Sequence, residues 1–138
     1  MKNHEIKMAW QGDMAFEGLI NGHKVRVDAD ESVGGNDSGP RPKPFVLVAL
    51  AGCTGMDVTM ILKKMRVVIE DLNISVNGTL SEEQPAQYTS MHVTYEFKGE
   101  NLNLDKLTKA VELSQNQYCG VSAMYKKAIP LTYEIKII

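Results

Sequence analysis

The chain has 138 residues, 43% hydrophobic and 23% charged, with a formal net charge of -2 and two cysteines. That is one domain's length and an ordinary globular composition, which excludes a disordered tail, a collagen-like fibre and a disulfide-dense scaffold. A polyanion binder carries a basic surplus that displaces counterions, so the charge balance argues against a nucleic-acid partner.

The opening MKNHEIKMAW has no apolar core of the kind a secretory signal needs. Pro44 to Met56, bounded by Lys43 and Asp57, is shorter than the ~20 apolar residues of a spanning helix. A cytoplasmic protein with no membrane segment is therefore expected.

In chain order, Ile6, Met8 and Trp10 alternate with polar neighbours, and Met14, Phe16 and Ile20 follow at even spacing after the turn Gln11-Gly12-Asp13. Asn21-Gly22 is a two-residue hairpin signal, because both positions tolerate positive φ. Val25, Val27 and Ala29 alternate beyond it. The segment predicts a three-stranded meander with one apolar face. Residues 30–43, rich in Gly, Pro, Ser and Asp, predict a mobile loop. It ends at Pro44, which suits the first turn of a helix.

That helix is predicted from about Pro44 to about Met65. Its first half, FVLVALAGCTGM, is apolar all round, which predicts burial on every side. One sheet covers only one side of such a helix, so a second subunit is the economical cover for the other. Leu72, Ile74 and Val76, then Met91, Val93, Tyr95 and Phe97, alternate as strands of a second hairpin. His92 falls on the polar face and reads as a solvated or cross-strand residue. From Asn103, a plausible N-cap, Leu104, Leu107, Val111 and Tyr118 follow helical spacing. Gly120 should break this helix. A shorter helical piece, VSAMYKKA, follows, and Leu131, Tyr133, Ile135 and Ile137 close the chain as a strand. The order βββ, long helix, ββ, helix, short helix, β predicts an α+β fold, read as a single domain over 1–138.

Cys53 and Cys119 lie far apart and outside any Cys-x-x-Cys motif. With His4, His23 and His92 they lack the ligand spacing of a zinc site, so no metal is expected. Cys53 sits between Gly52 and Gly55, two residues costly in a helix interior unless something approaches the backbone closely. A buried cysteine is also simply a small hydrophobe, and helix physics alone favours that reading. Cys119 precedes Gly120, where the exposed N–H groups of a helix start favour a thiolate and lower a thiol's pKa. Packing beside Tyr118 is the equal alternative.

The run PKPFVLVALAGCTGMDV resembles the central-helix motif of the OsmC/Ohr superfamily, in its OsmC-like redox-protein branch, through Pro42, Ala51, Gly52, Cys53, Thr54, Asp57 and Val58. SQNQYCGVSAM resembles that family's second cysteine region, with Ser114, Tyr118, Cys119 and Val121. The element order agrees end to end. The resemblance implies the OsmC-like fold, a long buried central helix and two intertwined subunits. It also implies thiol chemistry on organic hydroperoxides, with Cys53 attacking the peroxide to form a sulfenic acid and Cys119 resolving it to a disulfide. No bound cofactor is implied, only an external dithiol or small-thiol reductant.

The sequence departs from the family's peroxidases at two positions. They carry an arginine in the N-terminal hairpin and a glutamate where Lys43 stands here, whereas the first arginine of this chain is Arg26. Lys43 lies ~15 Å from Cys53 along the helix, at ~1.5 Å per residue, and Arg41 is the other candidate cation. Asp57, one turn after Cys53, disfavours a thiolate when ionised. The alternative is therefore a non-enzymatic protein binding an apolar small molecule in the dimer cleft. Phe45, Met56 and Tyr118, with Met60 and Met124, would line that cleft and are the substrate-binding candidates under either reading.

Overall fold

In the computed structural model, which describes residues 2–138, Asn21 and Gly22 both take positive φ, at 52° and 83°. They turn the chain tightly between β2 (Phe16–Ile20) and β3 (His23–Val27), and β1 (Met8–Trp10) pairs with the other edge of β2. All pairings are antiparallel. The predicted meander is present, but its apolar residues are not buried: Trp10 is 65% exposed, and Phe16, Leu19 and Ile20 also face solvent. Strands this short, with no layer packed over them in their own unit, cannot exclude water from a face.

The segment expected as a mobile loop is organised around one buried carboxylate. Asp28 accepts hydrogen bonds from the backbone N–H groups of Ala29, Asn36 and Ser38, and from the Ser38 hydroxyl. Those bonds, led by the Ser38 hydroxyl, hold its carboxyl far below the usual carboxylate range. This first compact unit ends at Val46, and the second runs from Leu47 to Ile138.

The chain passes between the units in α1 (Phe45–Lys64). Leu50, Thr54, Val58, Ile61 and Leu62 form its buried face. The opposite face is a correction to burial on every side: Val48, Met56 and Met60 are exposed, Met56 by 76%. Within the second unit, the described residues cover one face of α1. Its length and hydropathy would suit a membrane span, but five of its residues are buried within the protein and Asp57 near its middle is hydrogen-bonded.

In the second unit, β5 (Tyr88–Lys98) is central, antiparallel to β4 (Asp71–Leu80) and parallel to β6 (Leu131–Ile137). Parallel strands need a long crossover, which α2 (Leu104–Leu113) and α3 (Gly120–Lys126) provide. Met91, Val93, Tyr95 and Phe97 are buried, as their alternation predicts. His92 is a cross-strand residue: its Nδ1 lies 2.7 Å from Thr132 Oγ1, and its Nε2 lies 3.4 Å from Glu134. The hydrogen bond from His92 keeps the Glu134 carboxyl below its ordinary value.

Asn103 caps α2 through its side-chain oxygen, which accepts from the N–H groups of Asp105 and Lys106. Leu107, Ala110 and Val111 are buried as predicted, but Leu104 and Tyr118 are exposed, Tyr118 by 58%. Beyond Leu113 the helix widens into one π-turn, Ser114–Tyr118, closed by Cys119 N–H donating to Ser114 O at 2.8 Å. The extra residue in that turn shifts the register, so Ser114 and Gln115 point inward and Tyr118 outward. The break falls at Cys119, whose backbone is extended (φ -77°, ψ 102°), and Gly120 begins α3.

A depressed carboxyl stabilises the fold above its unfolded pKa of about 4 and stops doing so as the pH falls through its folded value. Asp28→Asn should therefore melt below the wild type at pH 7, with the gap closing as the pH is lowered below about 3. Thermal melts from neutral to strongly acidic pH read this directly.

Candidate functional site

Three elements of the second unit converge on the cysteines. A helix repeats its face every three to four residues, so α1 presents Cys53 and Asp57 together, with Thr54 beside them. The π-turn delivers Ser114 and Gln115, and Cys119 occupies the N-cap of α3, its Sγ accepting from Ser122 N–H at 3.3 Å. Cys53 Sγ, Cys119 Sγ and a carboxylate oxygen of Asp57 all lie within 4.8 Å of one another. Both cysteines are free thiols; Cys53 is half-buried and Cys119 only 3% exposed.

A buried hydroxyl chain sets this register. Thr54 Oγ1 lies 2.6 Å from Tyr95 Oη and 2.7 Å from Ser114 Oγ. Ser114 Oγ donates to Asp57 Oδ2 at 2.9 Å, and Gln115 Nε2 donates to Tyr95 Oη at 2.7 Å. The direction of each bond follows from the ends. A carboxylate only accepts, so the Ser114 proton points at Asp57. Thr54 must then donate to Ser114, and Tyr95 to Thr54. Ser122 Oγ completes the chain by donating to Gln115 Oε1 at 2.7 Å. Among the described residues no buried side-chain nitrogen or oxygen lacks a partner.

The electrostatics differ from the expectation for Cys119. Burial pushes its thiol up to about 11, the Ser122 N–H offsets part of this, and the neighbouring Cys53 adds to the rise. The expected helix-start effect is present as a hydrogen bond, but desolvation outweighs it. Burial also raises the Tyr95 hydroxyl. A cleft of about 330 Å³ opens beside Cys119, lined also by Tyr118, Ala123 and Lys126.

The structure thus brings Cys53 and Cys119 together and sets Tyr118 on the cleft beside Cys119. Met56 lies on the exposed face of α1 and Phe45 opens that helix, ~12 Å before Cys53 at ~1.5 Å per residue. Met60 and Met124 are exposed. Of the two candidate cations, Arg41 and Lys43, Arg41 pairs with Asp37 and Asp30 in the first unit, and Arg26, the first arginine of the chain, is held there by Glu17 and Ser38. Asp57 was legible only as an unfavourable neighbour of Cys53; its contact with Ser114 depends on the π-turn.

The sequence pattern of the family described as OsmC-like protein matches residues 34–134. The chain belongs to the OsmC-like family. Protein YhfA of Escherichia coli K12 is 28% identical over 135 residues, covering 97% of this chain and 98% of that protein. A crystal structure of a protein from Aquifex aeolicus VF5 superposes with a TM-score of 0.84 at 28% identity, covering 100% of this chain and 99% of that one. An organic hydroperoxide resistance protein OsmC from Legionella pneumophila shares the fold, with a TM-score of 0.68 at 13% identity over 99% of this OsmC-like chain and 98% of its own.

Thr54→Val removes the shared hydroxyl, leaves buried Ser114 and Tyr95 groups short of a partner and should cost about 1–3 kcal/mol, read by equilibrium denaturation. A thiol with a pKa of about 11 reacts as a thiolate whose fraction grows about tenfold per pH unit below that value. Alkylation of Cys119 by a small neutral reagent should rise accordingly between pH 7 and 9, as followed by mass spectrometry of the Cys119 peptide.

Proposed function

We propose that the protein is a thiol-dependent peroxidase that reduces organic hydroperoxides through the Cys53–Cys119 pair. The observation that carries this reading is the approach of the two sulfurs to within 4.8 Å of each other. Family membership and the name of the Legionella neighbour support a redox, peroxide-related role. Cys53 releases its thiol proton and attacks the hydroperoxide as a thiolate, the O–O bond breaks, the leaving alkoxide takes up that proton to become the alcohol, and Cys53 becomes a sulfenic acid. The Cys119 sulfur then attacks the Cys53 sulfur, the S–O bond breaks, and the hydroxyl leaves with the Cys119 proton as water. An external dithiol or small thiol returns both sulfurs to thiols. Cys53 is half-buried and more open than Cys119, which suits it to meet the peroxide. A reducing compartment such as the cytoplasm suits a cycle that starts from two free thiols.

The active form in this proposal is a homodimer. Val48, Met56 and Met60 leave an apolar stripe on α1 that a second copy would cover. The stripe, with exposed Tyr118 and Met124, also supports a second reading, a non-enzymatic protein that holds an apolar small molecule in the dimer cleft.

One equivalent of cumene hydroperoxide should consume both thiols of each chain and yield one alcohol. Cys53→Ser should leave the peroxide intact, and Cys119→Ser should accumulate a sulfenic acid that dimedone traps. Wild-type thiols that persist for hours, with an apolar molecule co-purifying, would select the second reading. By sedimentation, Met56→Glu should shift the wild-type dimer to monomer; a monomeric wild type removes the dimer from the proposal.

A further inference from the structure

The same cluster carries a property that peroxide chemistry does not use. Two sulfurs and a carboxylate oxygen from α1 and the α3 N-cap lie within 4.8 Å of one another. Two of the three donors sit one helical turn apart on α1, a spacing that places ligands on one face. We propose that the reduced protein binds a thiophilic divalent cation of the zinc class through Cys53 Sγ, Cys119 Sγ and the Asp57 carboxylate.

The donor set fits that chemistry. Thiolates select borderline and soft metals over calcium or magnesium. Zinc takes sulfur at ~2.3 Å and carboxylate oxygen at ~2.0–2.2 Å in a tetrahedron, so the three donors must draw together by roughly 1 Å. Three protein ligands leave the fourth position for water or an exogenous thiol. The outer shell is already built: Ser114 Oγ donates to Asp57 Oδ2 at 2.9 Å and is itself held by Thr54, the kind of support that orients a ligating carboxylate. Cys53, half-buried, is the donor open to solvent, and a cleft lined by Tyr118 and Lys126 lies beside Cys119. As the metal enters, the Cys53 and Cys119 protons both leave to water, since only thiolates coordinate. His4, His23 and His92 take no part; His92 is engaged by Thr132 and Glu134 on the sheet.

Zinc chloride and cobalt(II) are the probes, titrated into the reduced full-length protein without peroxide, so that the outcome is independent of the peroxidase reading. The expected result is one ion per chain, with tetrahedral cobalt bands and thiolate-to-cobalt charge transfer. Zinc should protect Cys53 and Cys119 together from alkylation. Cys53→Ser and Cys119→Ser should each lose the charge-transfer intensity of one sulfur and weaken zinc at least about 100-fold. Asp57→Asn, which removes a charged ligand, should weaken zinc at least about 10-fold, and Ser114→Ala, acting through Asp57, about 10–100-fold, the scale of a lost ligand-orienting contact. Zinc that binds equally well to Cys119→Ser or Asp57→Asn overturns the proposal, because the ion would then be held elsewhere. If a variant fails to fold, alkylation of the wild type decides: zinc that shields neither cysteine overturns the site. Thiols consumed by peroxide in a protein that ignores zinc would leave the peroxidase reading standing alone.

Discussion

One threonine hydroxyl fixes where the sulfurs meet. Thr54 follows Cys53 in α1, and its Oγ1 is shared between Tyr95 on β5 and Ser114 at the start of the π-turn. The same turn ends at Cys119. A buried hydroxyl left without a partner costs about 1–3 kcal/mol, so sliding α1 along the sheet, or rewinding the π-turn into an α-turn, would orphan several groups at once. Apolar packing tolerates small slips, whereas a directional chain of six side chains does not. The sulfur–sulfur approach therefore follows from the hydroxyl register rather than from any attraction between the cysteines.

Asp57 gives this chain its direction. Because a carboxylate can only accept, every hydroxyl proton from Tyr95 through Thr54 and Ser114 points toward the cysteine cluster. The cluster thus receives a negative charge at close range while burial keeps Cys119 a thiol. Burial holds the proton on the Cys119 sulfur until a reaction there releases it. Attack on an electrophilic Cys53 sulfur is one such reaction, and coordination of a cation is another. The two uses exclude each other, since a sulfur committed to a disulfide cannot also serve as a thiolate ligand.

Much of the architecture was written locally. Asn21-Gly22, the alternation of Met91 to Phe97 and the Asn103 cap each act over a few residues, and each formed as read. The two cysteine motifs carried the family, and with it the pairing of Cys53 and Cys119. Properties that depend on distant partners were not legible. Helical spacing put Tyr118 in line with Leu107 and Val111, but a π-turn inserts one residue and turns Ser114 and Gln115 inward instead. No local pattern announces it, because its stabilising bonds run to Tyr95, Thr54 and Ser122. Cys119 shows the same limit in its charge: the helix start is a local feature, whereas desolvation is set by everything packed around the sulfur.

The central helix joins these scales. Its apolar sequence reads as buried on all sides, yet the described residues of the second unit bury the face carrying Leu50, Thr54 and Val58 and leave Val48 and Met56 exposed. The uncovered face carries Val48 and Met56, on the turns flanking Cys53. Burying a side chain such as methionine or valine is worth about 1.5–3 kcal/mol, so an occupant of this stripe is favoured by water alone. That occupant would also border the approach to Cys53, since Met56 is one turn away on the same helix. Under the dimer proposal, association and substrate access are then coupled through one helix: α1 holds the sulfur with its inner face and recruits the wall around it with its outer one.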